Sequence, residues 1–461
     1  MDIHNLIERR AFLKALGGTL AAAGLPAASL ARADAAAPAW NNWSGNQQAH
    51  PRHIHYPANE AALIELLGQA EGPLRPFGGS HSFSPLVPTA GSLISLEAFN
   101  GVRHHDRQRH TIRYGAGTRI GQASAEAWRR GESFTNEPDI NLQSLAGAIA
   151  TSTHGTGLTL GSLSAQVRAL TLISVDGEQR TLSAADGDLF DAARCNPGAL
   201  GFVTDVTFVH QSAYRLEEHT WTLPLEDAFE FFARERDNHR NLEMFAFPLG
   251  GTAILKTMAI TDNPEDLNLE AEDNNDLLET VCELSRRAGW LTSTLQKLVT
   301  LFVSETRRRG PAHRIYANHR AVRFNEMEYT VPAERGLDCL KALCQRIRER
   351  ELNVFFPIEF RYVAADDTLL SMFSGRAGAS LSVHQYHKQD YRPLFQATEP
   401  LLREHGGRPH WGKIHSLGAT ELRALYPRFD DFLAIRRRLD PDGRLLNPHL
   451  QKLFNGVEAS R

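Results

Sequence analysis

The chain has 461 residues, enough for two domains of ordinary size with a sizeable core. Apolar residues make up 42% and charged residues 23%, and the formal charge of -4 excludes the basic footprint of a nucleic-acid-binding protein. No interior apolar run reaches the roughly 18 residues of a membrane span, and Cys195, Cys282, Cys339 and Cys344 lack metal-type spacing, so they read as free thiols in packed positions.

Residues 1–35 read as a targeting segment. Glu8-Arg9-Arg10-Ala11-Phe12-Leu13-Lys14 opens a weakly apolar stretch from Ala15 to Leu30, and Ala31-Arg32-Ala33 or Ala33-Asp34-Ala35 offers a small-x-small cleavage site. The arrangement resembles a bacterial twin-arginine signal peptide. It implies the twin-arginine export machinery as a partner and a periplasmic or extracellular mature protein, exported already folded.

Leu63, Leu66 and Leu67 have helical spacing within Asn59 to Ala70, and the strand Leu74 to Phe77 follows. That strand runs into Pro76-Phe77-Gly78-Gly79-Ser80-His81-Ser82, where two glycines let successive N–H groups approach a phosphate, two hydroxyls add donors, and His81 brings a nucleophilic ring nitrogen. Ser92 to Leu96 and His110 to Tyr114 read as strands, and Gly115-Ala116-Gly117-Thr118 reads simply as a turn into a helix at Ile120 to Trp128. Residues 138–157, rich in small and hydroxylated side chains with no sustained period, suit a loop that wraps a polar ligand. Asp176-Gly177 between Leu170 to Val175 and Gln179 to Leu182 signals a hairpin. Phe202 to Val209 alternates as a strand.

From about residue 215 a second domain is expected. Asn263 to Asp276 reads as an acidic, exposed connector, and Leu277 to Glu305 as helices with a core-facing leucine stripe. Arg307-Arg308-Arg309 reads as a solvated turn. Glu334 to Arg350 is a further helix. In the strand Val354 to Val363, Glu359 and Arg361 share one face while Ile358, Phe360 and Tyr362 share the other. The pair is either a plain ion pair or a site in which a carboxylate and a guanidinium orient substrate oxygens. In Ser382 to His387, His384 and Tyr386 share a face. Trp411, alone, would pack with a polar handle.

Three motifs, Arg75 to Phe83, Ala146 to Gly157 and Gly198 to Thr207, resemble the FAD domain of vanillyl-alcohol-oxidase-type flavoproteins, and within these the aldonolactone and alditol oxidases. His410-Trp411-Gly412-Lys413 and Asp440 to Pro448 are similar to that family's His-Trp-x-Lys motif and closing turn. The resemblance implies an α+β fold with an FAD-binding domain of two α/β subdomains (36–214), a substrate-binding cap on an antiparallel sheet covered by helices (215–410), and a C-terminal segment returning to the flavin (411–461). It implies FAD as cofactor, held by Pro76 to Ser82, Ser144, Ile149, Ser152, Thr156, Gly157, Leu158, Thr159 and Val203, with a covalent link through His81. Glycine is common in the lactone oxidases where this chain has Ser80. The same resemblance makes Glu359, Arg361 and Lys413 catalytic and places Ser144, Glu359, Arg361, His384 and Lys413 on the substrate. The activity expected is oxidation of a sugar lactone or alditol CH–OH group, with O2 as acceptor. Two alternatives stay open: a periplasmic dehydrogenase passing electrons to a quinone or cytochrome, and a binding protein without turnover.

Overall fold

The computed structural model describes residues 39–265, 275–318 and 320–456. The targeting segment, and residues 266–274 of the acidic connector, lie outside the described residues. The architecture is α+β, with three principal sheets.

The first sheet is parallel, with Ser92–Ser95 between His53–His55 and Leu74–Phe77. Helix Glu60–Gln69, capped by the Asn59 side chain, buries Leu63 and Leu67 against Leu74 and Ile94. The second sheet is antiparallel, ordered Gln179–Ser183, Val167–Ile173, Phe202–Val209, Thr111–Gly115 and Val102–Asp106. Asp176-Gly177 turns its outer hairpin, with Gly177 at a φ of +84°.

The third sheet is antiparallel with eight strands. Its order is Thr306–Pro311, Arg215–Pro224, Thr252–Thr261, Asn241–Phe247, Ile358–Val363, Gly378–Tyr386, Phe324–Pro332 and Arg408–Pro409. Strand alternation gives it two unlike faces. One carries Met244, Phe360, Tyr362, Leu381 and Val383 and is covered by helices Leu225–Glu235, Gly336–Glu349 and Arg392–Glu404. The opposite face is polar, and the segment from Ser152 to Gly157 lies against it: Gly157 N donates to Tyr362 O at 2.7 Å and Thr156 Oγ1 to Leu242 O at 2.6 Å.

Three expectations change. The loop over residues 138–157 contains a short helix, Leu145–Ala150, whose N-cap is the Ser144 side chain. The leucine stripe of 277–305, carried by the helices Asn275–Arg287 and Thr292–Leu301, does not face the core to its end, for Leu301 is left 76% exposed. Arg307 to Arg309 form an edge strand rather than a turn. Carboxylates on the neighbouring strand explain it: Arg308 donates to buried Glu218 at 2.8 and 3.0 Å, while Arg307 and Arg309 both reach Glu217 on the other side. All four cysteines are free and buried.

The C-terminal segment closes on the first sheet through a buried guanidinium. Arg75, 1% exposed, donates to Leu86 O, Pro197 O, Gly198 O and Leu445 O at 2.6 to 2.8 Å. Asp440 caps Arg444 N and Leu445 N, and Asn447 donates to Pro85 O and Pro88 O. Replacing Arg75 by Met strands four buried carbonyls, each an unsatisfied group worth about 1–3 kcal/mol. Urea unfolding of R75M should therefore show a loss of at least about 3 kcal/mol; an unchanged midpoint and slope would refute this assignment.

Candidate active site

A cleft of about 1190 Å³ runs between the N-terminal half and the C-terminal segment. One wall is the loop that leaves strand Leu74–Phe77, from Pro76 through Ser82. A Cβ at Gly78 would lie 2.1 Å from Ser144 Oγ, and one at Gly79 2.7 Å from Arg119 Nη1. A side chain at either position would have to displace these neighbours, and with glycine the backbone itself forms this surface. Ser80 takes a positive φ of 56°, an uncommon conformation for a residue with a side chain. It is held there by Trp40 Nε1, which donates to its hydroxyl at 3.0 Å, and by Trp43 N, which donates to its carbonyl at 2.8 Å.

His81 closes one end of the cleft. Burial, then the charges of Arg119 and Lys413, push its imidazole down to about 4, so the ring is neutral at physiological pH. Opposite stand Ser144 and Ile149, while Gly198, Gly201 and Val203 form a further side, and His410, Gly412 and Lys413 come from the C-terminal segment. Residues the sequence reading missed also line the cleft: Arg119, Gln143, Asn196, and the Ala116-Gly117 turn. Gly117 has a close-approach signature, since its Cβ would lie 2.0 Å from Leu96 O.

Ser152, Thr156, Gly157, Leu158 and Thr159 are not among the residues lining the cleft. Ser152, Thr156 and Gly157 join the two halves. Ser152 Oγ is 2.9 Å from Ser371 Oγ, and Thr156 and Gly157 bond the cap sheet as described, while Leu158 is half-buried and Thr159 exposed.

Next to the cleft, the polar face of the eight-stranded sheet carries a buried array of charges. Glu359 and Arg361 share it, 3.5 Å apart, as the alternation predicts. Glu326 pairs with Lys413. His154 Nε2 lies 2.7 Å from Glu328 Oε1, and Arg361 lies 3.5 Å from the same carboxylate's other oxygen. Arg320 pairs with Asp139 and lies 4.0 Å from Glu359. Lys256 pairs with Glu243 at 2.5 Å, and Glu243 sits opposite Arg361 on the adjoining strand. Of these acids and bases, the sequence reading found Glu359, Arg361 and Lys413; the others come from strands and loops distant in the chain.

The electrostatics separate Glu359 from its neighbours. Against the cost of burial, Lys413 and then His384 hold Glu326 well below the usual carboxylate range, and His154 and Arg361 do the same for Glu328. Glu359 shares its nearest cation, Arg361, with Glu328. Burial, opposed by Arg361 and reinforced by Glu243, pushes it up to about 8.

Four buried polar atoms on this face have no hydrogen-bond partner: Glu359 Oε1, Arg361 Nε, Ser382 Oγ and His384 Nε2. They belong to neighbouring strands, with Glu359 opposite Ser382. Unsatisfied donors and acceptors gathered in one place are complementary to a ligand rich in hydroxyl or carbonyl oxygens. A second recess, of about 650 Å³, is lined by Trp43, Leu142 and Arg320 and shares His81 with the cleft. The cleft in turn suits a large phosphate-bearing group: it has a side-chain-free backbone loop, the cations Arg119 and Lys413, and apolar sides at Val87, Leu96 and Val203.

Comparison with known proteins agrees with this geometry. A family model for D-arabinono-1,4-lactone oxidase matches residues 206–453, and an FAD binding domain model matches 51–183. The L-gulono-1,4-lactone dehydrogenase of Mycobacterium tuberculosis is 34% identical over 426 residues, covering 90% of this chain and 99% of that protein. The alditol oxidase of a Streptomyces species is 28% identical with the same coverage, and mouse (Mus musculus) L-gulonolactone oxidase is 25% identical, covering 90% of this chain and 98% of its own. The cholesterol oxidase of Brevibacterium sterolicum shares the fold, with a TM-score of 0.76 at 18% identity over 90% of this chain and 96% of that one. The chain therefore belongs to the D-arabinono-1,4-lactone oxidase family and is an FAD-dependent oxidoreductase.

Proposed function

We propose that the protein oxidises a CH–OH group of a sugar lactone, of the D-arabinono-1,4-lactone or L-gulono-1,4-lactone type, or of an alditol, with O2 as electron acceptor. The observation that carries this reading is the set of unpartnered atoms on Glu359, Arg361, Ser382 and His384, set in a buried charged layer beside the cleft. A polyhydroxylated substrate supplies the oxygens they lack. The recess at Trp43, Leu142 and Arg320 is the route by which such a substrate enters.

When bound, FAD supplies the acceptor for the hydride that leaves the substrate carbon. The chain's own residues orient the substrate and answer the change in charge. Arg361 Nε is free to donate to a substrate oxygen, and the neutral Glu359 carboxyl donates or accepts at a hydroxyl. Lys413, at the His81 end of the cleft, lies where negative charge develops, and its pairing with Glu326 fixes it in place before the reaction. Gly78 and Gly79 present backbone to the cofactor, and the neutral His81 ring offers a lone pair for a covalent link to it.

A second reading keeps the substrate and replaces O2 by a quinone or cytochrome. The 34% identical relative is named a dehydrogenase, which supports it. In either case the Arg9-Arg10 segment supports twin-arginine export and a periplasmic or extracellular location.

The purified protein should be yellow and should bleach on anaerobic addition of a lactone or alditol. A protein that takes up no FAD, or one that no such compound reduces, would sink the reading; oxygen consumption during turnover separates the two acceptors. Acid precipitation should leave the colour in the pellet, and H81A should release it. Colour released from the unmutated protein would remove the covalent link while leaving the cofactor. K413M should retain FAD and reduce it about 10²-fold more slowly, the scale of losing one preorganised donor; an unchanged rate would take Lys413 out of the chemistry.

A further inference from the structure

Ser80, directly before His81, has a φ of 56°, in the left-handed region that favours glycine. A residue with a Cβ keeps such a backbone only where its surroundings over-determine it. Here the holding groups come from residues 40–47. Trp40 Nε1 donates to Ser80 Oγ at 3.0 Å and Trp43 N to Ser80 O at 2.8 Å, so a return to negative φ costs at least one of these bonds. The same segment grips the chain beyond His81. Asn42 Nδ2 donates to Ser82 O at 3.0 Å, and the Asn46 and Gln47 side chains donate to Phe83 O at 3.0 and 3.1 Å. His81 is thus bracketed on both sides.

The segment is itself fixed. Strand Trp40–Asn41 pairs antiparallel with Gln48–Ala49, and Trp40 packs with Ala49 and Leu93. Its loop also reaches the cap, where Trp43 meets Phe324 edge-on at 5.2 Å and Ser44 Oγ donates to Asn325 Oδ1 at 3.2 Å. From the C-terminal segment, Gly412 O accepts from Phe83 N at 2.7 Å. The Trp43 ring lies 5.8 Å from the His81 ring, and both line the recess. Of these contacts, the bond from Trp40 is the one made to the Ser80 side chain; the bonds to Ser80 O, Ser82 O and Phe83 O hold backbone that any residue would supply.

We propose that Trp40 is a positioning residue for His81: through the Ser80 hydroxyl it holds the left-handed turn that sets the imidazole at the cleft. Trp40 does not line the cleft; it acts through Ser80. Without its bond the loop relaxes at Ser80 and carries the next residue, His81, out of place. The inference rests on the reading that His81 is linked to FAD, but the turn at Ser80 does not. Forming that link exchanges a C–H of the flavin and the ring N–H of His81 for a C–N bond; two protons leave to solvent and two electrons pass to the electron acceptor of turnover.

The holoproteins S80A, S80G, W40F and W40F/S80G are compared with the unmutated one by the colour retained on acid precipitation, per FAD bound beforehand. S80A and S80G both lose the hydroxyl and differ only in the Cβ, so a loop that needs packing alone treats glycine no better than alanine. Positioning predicts otherwise. S80G should match the unmutated protein, since glycine takes a positive φ freely. S80A should retain at least about fivefold less, the lower end of what left-handed strain is worth in a conformational equilibrium. W40F keeps a ring against Ala49 and Leu93 but lacks the N–H, so it should resemble S80A, and W40F/S80G should recover. W40F serves where S80A fails to fold. Equal retention in S80A and S80G, or in W40F and W40F/S80G, would overturn the proposal. The visible circular dichroism of the bound FAD is recorded alongside. If the unmutated protein releases its colour, the link falls and that spectrum decides the positioning: a change in S80A that S80G does not show upholds it, and the same spectrum in both overturns it.

Discussion

The buried polar face of the eight-stranded sheet is the constraint from which the rest of this molecule follows. An ionised carboxylate or guanidinium taken out of water costs several kcal/mol unless a partner of opposite charge meets it in good geometry. Here the partners come from different strands and from the far half of the chain: Lys256 for Glu243, Arg308 for Glu218, Lys413 for Glu326, Arg361 for Glu328. The two halves cannot slide apart without stranding charges. Lys413 thus acts as an electrostatic pin, His154 Nε2 lies 2.7 Å from Glu328 Oε1, and the bonds from the Thr156 hydroxyl and the Gly157 backbone N–H fix the register between the halves. The apolar face under its helices supplies ordinary core stabilisation; the polar face sets where everything else must sit.

A rigid sheet also explains how four polar atoms remain unpartnered. Side chains on neighbouring strands are spaced by the backbone ladder, so Glu359, Ser382 and His384 cannot relax toward one another as loop residues would. Their unmet bonding capacity is a stored preference for ligand oxygens. On the cofactor side the same end is reached differently. The Gly78 and Gly79 surface is kept open by the absence of side chains, and Arg75 binds that strand to the Pro197-Gly198 wall and to the C-terminal turn.

How much of this was legible in the sequence follows from which interactions are local. Helix Glu60–Gln69, the Asp176-Gly177 hairpin and strand Phe202–Val209 are set by spacing and turn chemistry, and the structure has them where the pattern puts them. The glycine loop was legible because a phosphate cradle is a contiguous motif, and Glu359 with Arg361 because alternation puts them on one face. Glu243, Lys256, Glu326, Glu328, Asp139 and Arg320 were not legible as a group. Each is an unremarkable charge in its own segment, and only strand order brings them together. Arg307 to Arg309 failed for the same reason: without Glu217 and Glu218 beside them, three arginines look like solvated surface.

The arrangement of charges bears directly on alcohol oxidation. Removing a hydride and a proton from one CH–OH group moves negative charge toward the cofactor and leaves a proton to be held elsewhere. Lys413 lies at the cleft and Glu359 belongs to the sheet, so under the proposed function the two demands would fall on different groups with different environments. Lys413 is paired with Glu326, whereas Glu359 shares Arg361 with Glu328 and is pushed up to about 8 by burial, which leaves it able to change protonation state. A site that needed only to bind a polyol would gain nothing from this division, since hydrogen-bonding groups of either kind would serve. Separating an ion-paired ammonium from a titrating carboxyl, within a layer of paired acids and bases, suits catalysis by charge redistribution.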